Sequence, residues 1–159
     1  MSIKAVLFDL DGTLADTALD LGGALNTMLR EQGLPEVSMD KIRPVASHGA
    51  SGLLKLGMNL DKSDSNHARL RQQYLDTYET CFDKDTVLFE GIDDLVQAIH
   101  ARGLKWGIIT NKPHTFTHRL VPQLGFSVAP DVVVSGDTTA EAKPSTKPMF
   151  YACEQIDIA

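Results

Sequence analysis

The sequence predicts an α/β protein whose parallel sheet is covered by helices and interrupted, after its first strand, by a long helical insertion. Three observations predict it. The short runs Ile3–Phe8, Lys105–Thr110 and Asp131–Ser135 lack the apolar–polar alternation of a half-exposed strand and suit strands buried on both faces. Amphipathic helical stripes lie between them. After the first run the pattern stays helical for far longer than a crossover between parallel strands requires, and only then do strand and helix alternate with short links.

Element by element, Ile3–Phe8 is apolar and meets Asp9 at once. Leu21, Leu25, Met28 and Leu29 form a helical stripe that Gly33 ends, and Leu70, Tyr74, Thr77 and Cys81 mark a more polar helix. Ile92, Leu95, Val96 and Ile99 repeat at helical spacing, and Gly103 fits the C-terminal cap before the next strand. His114–Leu124 reads as a helix that Pro122 is expected to break or kink. A last helix is expected from Lys147 to Ile158. Residues 1–16 and 86–159 therefore read as an α/β core, and residues 17–85 as an inserted helical cap.

Composition excludes several classes of function. The 159 residues carry a net charge of −6 and no basic run, so wrapping nucleic acid, which needs clustered Lys and Arg, is not expected. The same acidic balance means that an anionic substrate must be drawn in by local cations. Cys81 and Cys153 stand far apart in no metal-binding spacing, which fits reduced, partly buried thiols. The N-terminal apolar run is too short for a signal peptide, and no stretch approaches membrane-spanning length, so a cytoplasmic protein without a membrane partner is expected.

The strongest chemical signal is Asp9-Leu10-Asp11-Gly12-Thr13 at the end of a buried strand. Ligands of open α/β sheets collect at the carboxyl ends of strands. An extended chain would send Asp9 and Asp11 to the same side, and two such carboxylates repel unless a cation or proton intervenes. Hard oxygen ligands with few protein carboxylates suit Mg2+. Gly12 allows a tight turn whose N–H groups can face a phosphate. Thr110-Asn111-Lys112 closes the second core strand, where a hydroxyl and an amide can hold a phosphate oxygen without adding charge. Lys143-Pro144 follows the third strand, where an ammonium can offset the Asp9 carboxylate and the phosphate; Lys147-Pro148 is a nearby competitor for that role.

Together these segments resemble the haloacid dehalogenase-like superfamily, and within it the phosphoglycolate phosphatase-type hydrolases. Asp9, Asp11, Gly12 and Thr13 match its first motif, Thr110 its second, and Lys143 with Pro144 its third. Phe89-Glu90-Gly91 and Gly107–Pro113 look like the same group. The resemblance implies a Rossmann-like core with a helical cap and a Mg2+-dependent phosphatase reaction. Asp9 would attack phosphorus and become an aspartyl-phosphate. Asp11 would protonate the leaving oxygen and then activate water. Mg2+ would bind Asp9, the backbone carbonyl of Asp11 and a further acid, while Gly12, Thr110, Asn111 and Lys143 would hold the phosphoryl group. Arg43-Pro44-Val45-Ala46-Ser47-His48-Gly49-Ala50 and Val134–Thr138 resemble the N-acetylmuramic acid 6-phosphate phosphatases of bacteria, which implies a role in peptidoglycan recycling. Arg43, His48 and Gly49 would then meet the substrate's distal group, or only stabilise a cap loop. His67, His100, His114 and His118 read as surface or satisfied histidines.

The sequence departs from the family at one point. The fourth family motif, an acidic Gly-Asp segment on a strand after the lysine, completes the metal site. Gly136-Asp137 precedes Lys143, and Glu154 and Asp157 fall in the last predicted helix. The resemblance thus implies a C-terminally truncated chain, a metal site short of one acid, and a first strand with an apolar edge open to self-association. Three other readings fit the same residues. A sugar-phosphate mutase would share Asp9 and Asp11. A receiver-type domain phosphorylated on Asp would also use an acid pair, Thr and Lys, but places its phosphorylated Asp on a later strand. A fragment that has lost catalysis would act only in binding or dimerising.

Overall fold

The structure is a computed structural model that describes residues 3–158. The chain splits into two compact units, Met1–Ala15 with Leu88–Ala159, and Asp16–Val87.

The first unit is built on a three-stranded parallel sheet of β1 (Ala5–Phe8), β4 (Lys105–Ile109) and β5 (Val132–Val134), in the order β1-β4-β5. Val6 lies opposite Trp106, and Ile109 opposite Val134. Trp106 and Ile108 are fully buried, and Trp106 packs on Phe126 with ring centroids 4.9 Å apart. The neighbouring residues of β4 point the other way, as strand geometry requires. There Ile109, Val132 and Val134 form a core with Ala152 and Ile156 of the C-terminal segment. Helices α5 (Ile92–Ala101), α6 (His114–Gln123) and α7 (Lys147–Gln155) complete the unit.

Several details differ from the sequence reading: β5 is only Val132–Val134, and α7 ends at Gln155, short of Ile158. β1 begins at Ala5, and Ile3 is 73% exposed. β1 ends at Phe8, so Asp9 and Asp11 leave the sheet in a turn and not along an extended chain. α6 runs through Pro122 to Gln123, without the break expected there. Pro122 lies one residue from the helix end, so almost no helix follows the disturbed turn and little remains to be broken off.

The chain passes between the units through β2 (Ala15–Asp16) and β3 (Val87–Leu88), which pair as a two-stranded sheet. The second unit is helical: α1 (Ala18–Glu31), α2 (Met39–Ile42), a 3-10 segment (Arg43–His48), α3 (Gly49–Met58) and α4 (His67–Glu79). Its core holds Leu25, Met28, Leu29, Ile42, Leu53 and Leu54, all fully buried. Tyr74 stacks on Tyr78 and donates its hydroxyl to the Leu21 carbonyl at 3.0 Å, tying α4 to α1.

Asp20, buried in the first turn of α1, accepts the N–H of Asp85 at 2.9 and 3.0 Å and the Thr86 hydroxyl at 2.7 Å. These bonds fasten the exit of the helical segment to its entrance. Asp20→Ala strands these donors, and hydrogen bonds to a charged acceptor are the stronger kind. It is expected to destabilise the chain by about 2–3 kcal/mol. Urea unfolding should show this as a lower midpoint at constant slope. Cys81, beside the Asp20 carbonyl at 3.6 Å, has its thiol pKa pushed up by burial and by the Asp20 charge. Cys81 and Cys153 are both free thiols. Among the described residues, no helix is long and apolar enough to cross a membrane.

Candidate active site

The candidate site lies within the first unit, where β1, β4 and the chain after β5 end. The turn after β1 explains the local sequence. Leu10 is fully buried, and its carbonyl accepts the N–H groups of Thr13, Leu14 and Ala15 at 3.0–3.2 Å. Gly12 adopts φ +76°, a conformation open to glycine and strained for other residues. The N–H of Gly12 is committed to the Ala15 carbonyl at 2.9 Å, so Gly12 supplies the shape of the turn and not a free donor for phosphate.

The turn sends the two carboxylates to different lysines. Asp9 Oδ1 accepts the Leu10 N–H at 2.8 Å and pairs with Lys143 Nζ at 2.9 Å. Lys143 Nζ also donates to the Ile109 carbonyl at 2.7 Å, which fixes the ammonium at the end of β4. Asp11 Oδ1 pairs with Lys112 Nζ at 2.8 Å, and these side chains are only 12% and 4% exposed. An isolated buried charge is costly, so each of these two groups depends on the other.

Thr110 is buried where β4 gives way to its loop. Its N–H donates to the Val134 carbonyl, and its hydroxyl oxygen accepts the Lys112 N–H at 3.1 Å. The hydroxyl keeps its own proton to donate to a ligand. Asn111 does something the sequence did not suggest. Its amide nitrogen donates to the Lys143 carbonyl at 3.0 Å, and its amide oxygen accepts the Lys143 N–H at 2.9 Å. The Asn111 side chain is therefore a clamp on the Lys143 backbone. Lys147, the competitor for Lys143's role, is paired with Glu141.

The chain after β5 completes the support. The Gly136 N–H donates to the Lys112 carbonyl at 2.8 Å. A Cβ on Gly136 would lie 2.2 Å from the Asn111 carbonyl oxygen, so only glycine lets these two loops meet. Asp137 accepts the His114 N–H at 2.8 Å and so satisfies a free donor in the first turn of α6. The Thr117 and Ser135 hydroxyls bond at 2.6 Å below that turn.

In the second unit, Arg43 donates from Nη1 to both oxygens of Asp16, at 2.8 and 2.9 Å. His48 lines a separate cavity of about 600 Å³ with Ser51, Lys55 and Lys62, and Gly49 opens α3. Glu154 and Asp157 are exposed, on α7 and just past its end. Among the described residues, no group of three His, Cys, Asp or Glu side chains could hold a metal ion. A fully protein-built cage is therefore not what this set offers. It does fit Mg2+, which is commonly held by one or two carboxylates with waters and substrate phosphate. Asp9 Oδ2 takes no hydrogen bond among the described residues, and the bonds of the turn go to the Leu10 and Ala15 carbonyls, leaving that of Asp11.

A family model described as "Haloacid dehalogenase-like hydrolase" matches residues 6–159. A phosphoglycolate phosphatase of Xanthomonas campestris pv. campestris (strain 8004) is 38% identical over 156 residues, which are 98% of this chain and 70% of that protein. An N-acetylmuramic acid 6-phosphate phosphatase of Pseudomonas aeruginosa is 37% identical over 158 residues, 99% of this chain and 70% of that one. In fold, the chain is similar to a haloacid dehalogenase-like family hydrolase of Streptococcus pneumoniae, with a TM-score of 0.81 at 22% identity, covering 99% of this chain and 71% of the other.

Proposed function

Because the chain belongs to the haloacid dehalogenase-like hydrolase family, we propose that it is a Mg2+-dependent phosphomonoester hydrolase that passes a phosphoryl group from a small metabolite to Asp9 and then to water. One observation carries the reading. The Lys143 ammonium lies 2.9 Å from the carboxylate after β1 while bonded to the last carbonyl of β4, so nucleophile and countercharge converge at the strand ends.

The residues divide the work as follows. Asp9 attacks phosphorus, and the bond from phosphorus to the substrate oxygen breaks as Asp11, which enters the cycle protonated on its other oxygen, delivers that proton to the leaving oxygen. Water then attacks the aspartyl-phosphate, giving its proton to Asp11, and the phosphorus–Asp9 bond breaks to release phosphate. Lys143 and the Thr110 hydroxyl hold the phosphoryl oxygens, which suits a transfer governed by positioning and charge. Asp9 Oδ2 and the Asp11 carbonyl are the groups that would hold Mg2+. When bound, the ion supplies charge neutralisation and polarises a phosphoryl oxygen.

The names of the relatives supply two substrates, 2-phosphoglycolate and N-acetylmuramate 6-phosphate. As the resemblance implies, Arg43, His48 and Gly49 are assigned to the substrate's distal group. Phosphate release from each ester, with magnesium and after chelation with EDTA, tests the proposal. Release is expected to stop on chelation and to favour one ester by at least about tenfold, on the order of one well-placed polar contact. Isomerisation without release would point to a mutase. Stable aspartyl phosphorylation without turnover would point to a receiver-type domain.

A further inference from the structure

The geometry points to Lys112 as a positioning residue for Asp11, acting through the direction in which it holds the carboxylate. This rests on the phosphatase reading, in which Asp11 exchanges the proton. The pair joins residues 101 positions apart at 2.8 Å and is the most buried ion pair described. Lys112 is held from three sides. Its N–H is bonded to Thr110 Oγ1, its carbonyl accepts the Gly136 N–H, and its ammonium meets Asp11. The Gly136 contact with Asn111 leaves no room for this segment to retreat toward β5. One Asp11 oxygen is thereby fixed, and Oδ2, which takes no hydrogen bond among the described residues, is left to meet the leaving oxygen. The division of labour is symmetrical: Lys143 fixes the nucleophile and Lys112 fixes the proton donor.

The test exploits the chemistry of the leaving group. An alkyl phosphate such as 2-phosphoglycolate expels an alkoxide and needs the proton from Asp11, whereas p-nitrophenyl phosphate expels a stabilised phenolate and hardly does. Because kcat/KM reports on steps through transfer to Asp9, it isolates this demand. Lys112→Met is expected to lower kcat/KM for the alkyl ester about a hundredfold, the low end for a positioned acid, and for the aryl ester less than about tenfold. Lys112→Arg should recover part of the alkyl activity. Equal losses on both esters, or none, overturn the assignment while leaving the phosphatase reading intact. An inactive parent refutes that reading and the positioning role with it.

A second readout needs no turnover. Acylation of lysines with an N-hydroxysuccinimide ester, followed by mass spectrometry, should find Lys112 labelled at least about tenfold more slowly than exposed Lys62, because it is desolvated and paired. Asp11→Asn should remove much of that protection. Labelling of Lys112 at the Lys62 rate in the parent overturns the pairing itself.

Discussion

Asp9→Asn is expected to reduce phosphate release by at least about a thousandfold, because the amide cannot serve as the nucleophile and no other carboxylate among the described residues is paired with Lys143. The substitution is nearly isosteric, and the Asn oxygen can still accept the Leu10 N–H. What it removes is charge from a partly exposed pair, so the stability change should stay within about 1 kcal/mol. Loss of activity at an almost unchanged unfolding midpoint is thus the signature. Quenched turnover followed by mass spectrometry gives the direct check. The parent should gain one phosphoryl group on the peptide containing Asp9, and the variant should not. Full turnover by the Asn variant would sink the assignment of the nucleophile.

Lys143→Met should have the next largest effect, a loss of about a hundredfold to a thousandfold in kcat/KM. Without the ammonium, the Asp9 carboxylate faces an incoming phosphate without the cation paired with it, and the Ile109 carbonyl loses that donor. Lys143→Arg should recover little, because a planar guanidinium does not reproduce a point charge shared between two oxygens. Lys147→Met serves as the control. It removes a lysine four positions along that is paired with Glu141, and activity should be unchanged. Equal effects at the two positions would mean that Lys143 acts only by being basic.

The sequence showed much of this site because its signals are local. Asp9 and Thr110 each stand just past a short apolar strand, with Lys143 in the loop that follows a third, and the ends of parallel strands are brought together by the sheet itself. What escaped was pairing at a distance. Lys112 could be read in its strand-end motif, but nothing near it marks Asp11 as its partner. Asn111 was read only as a candidate phosphate ligand, because an amide beside a strand end can bind a ligand or a loop equally well, and its hold on Lys143 shows only once the two loops meet. Gly136-Asp137 resembled an acidic metal motif, yet one residue backs Lys112 and the other satisfies α6. In the helical unit, the apolar stripe of α1 was legible from its spacing. The two-residue strands β2 and β3 were not, because they are too short for any periodicity to show.

The pairing of β2 with β3 has a consequence for how such proteins diversify. Neighbouring strands lie about 4.8 Å apart, so the helical segment begins and finishes at a common doorway, fastened there by Asp20. A cassette with ends that close can be swapped for another, lengthened or excised without stretching the sheet to which it is spliced.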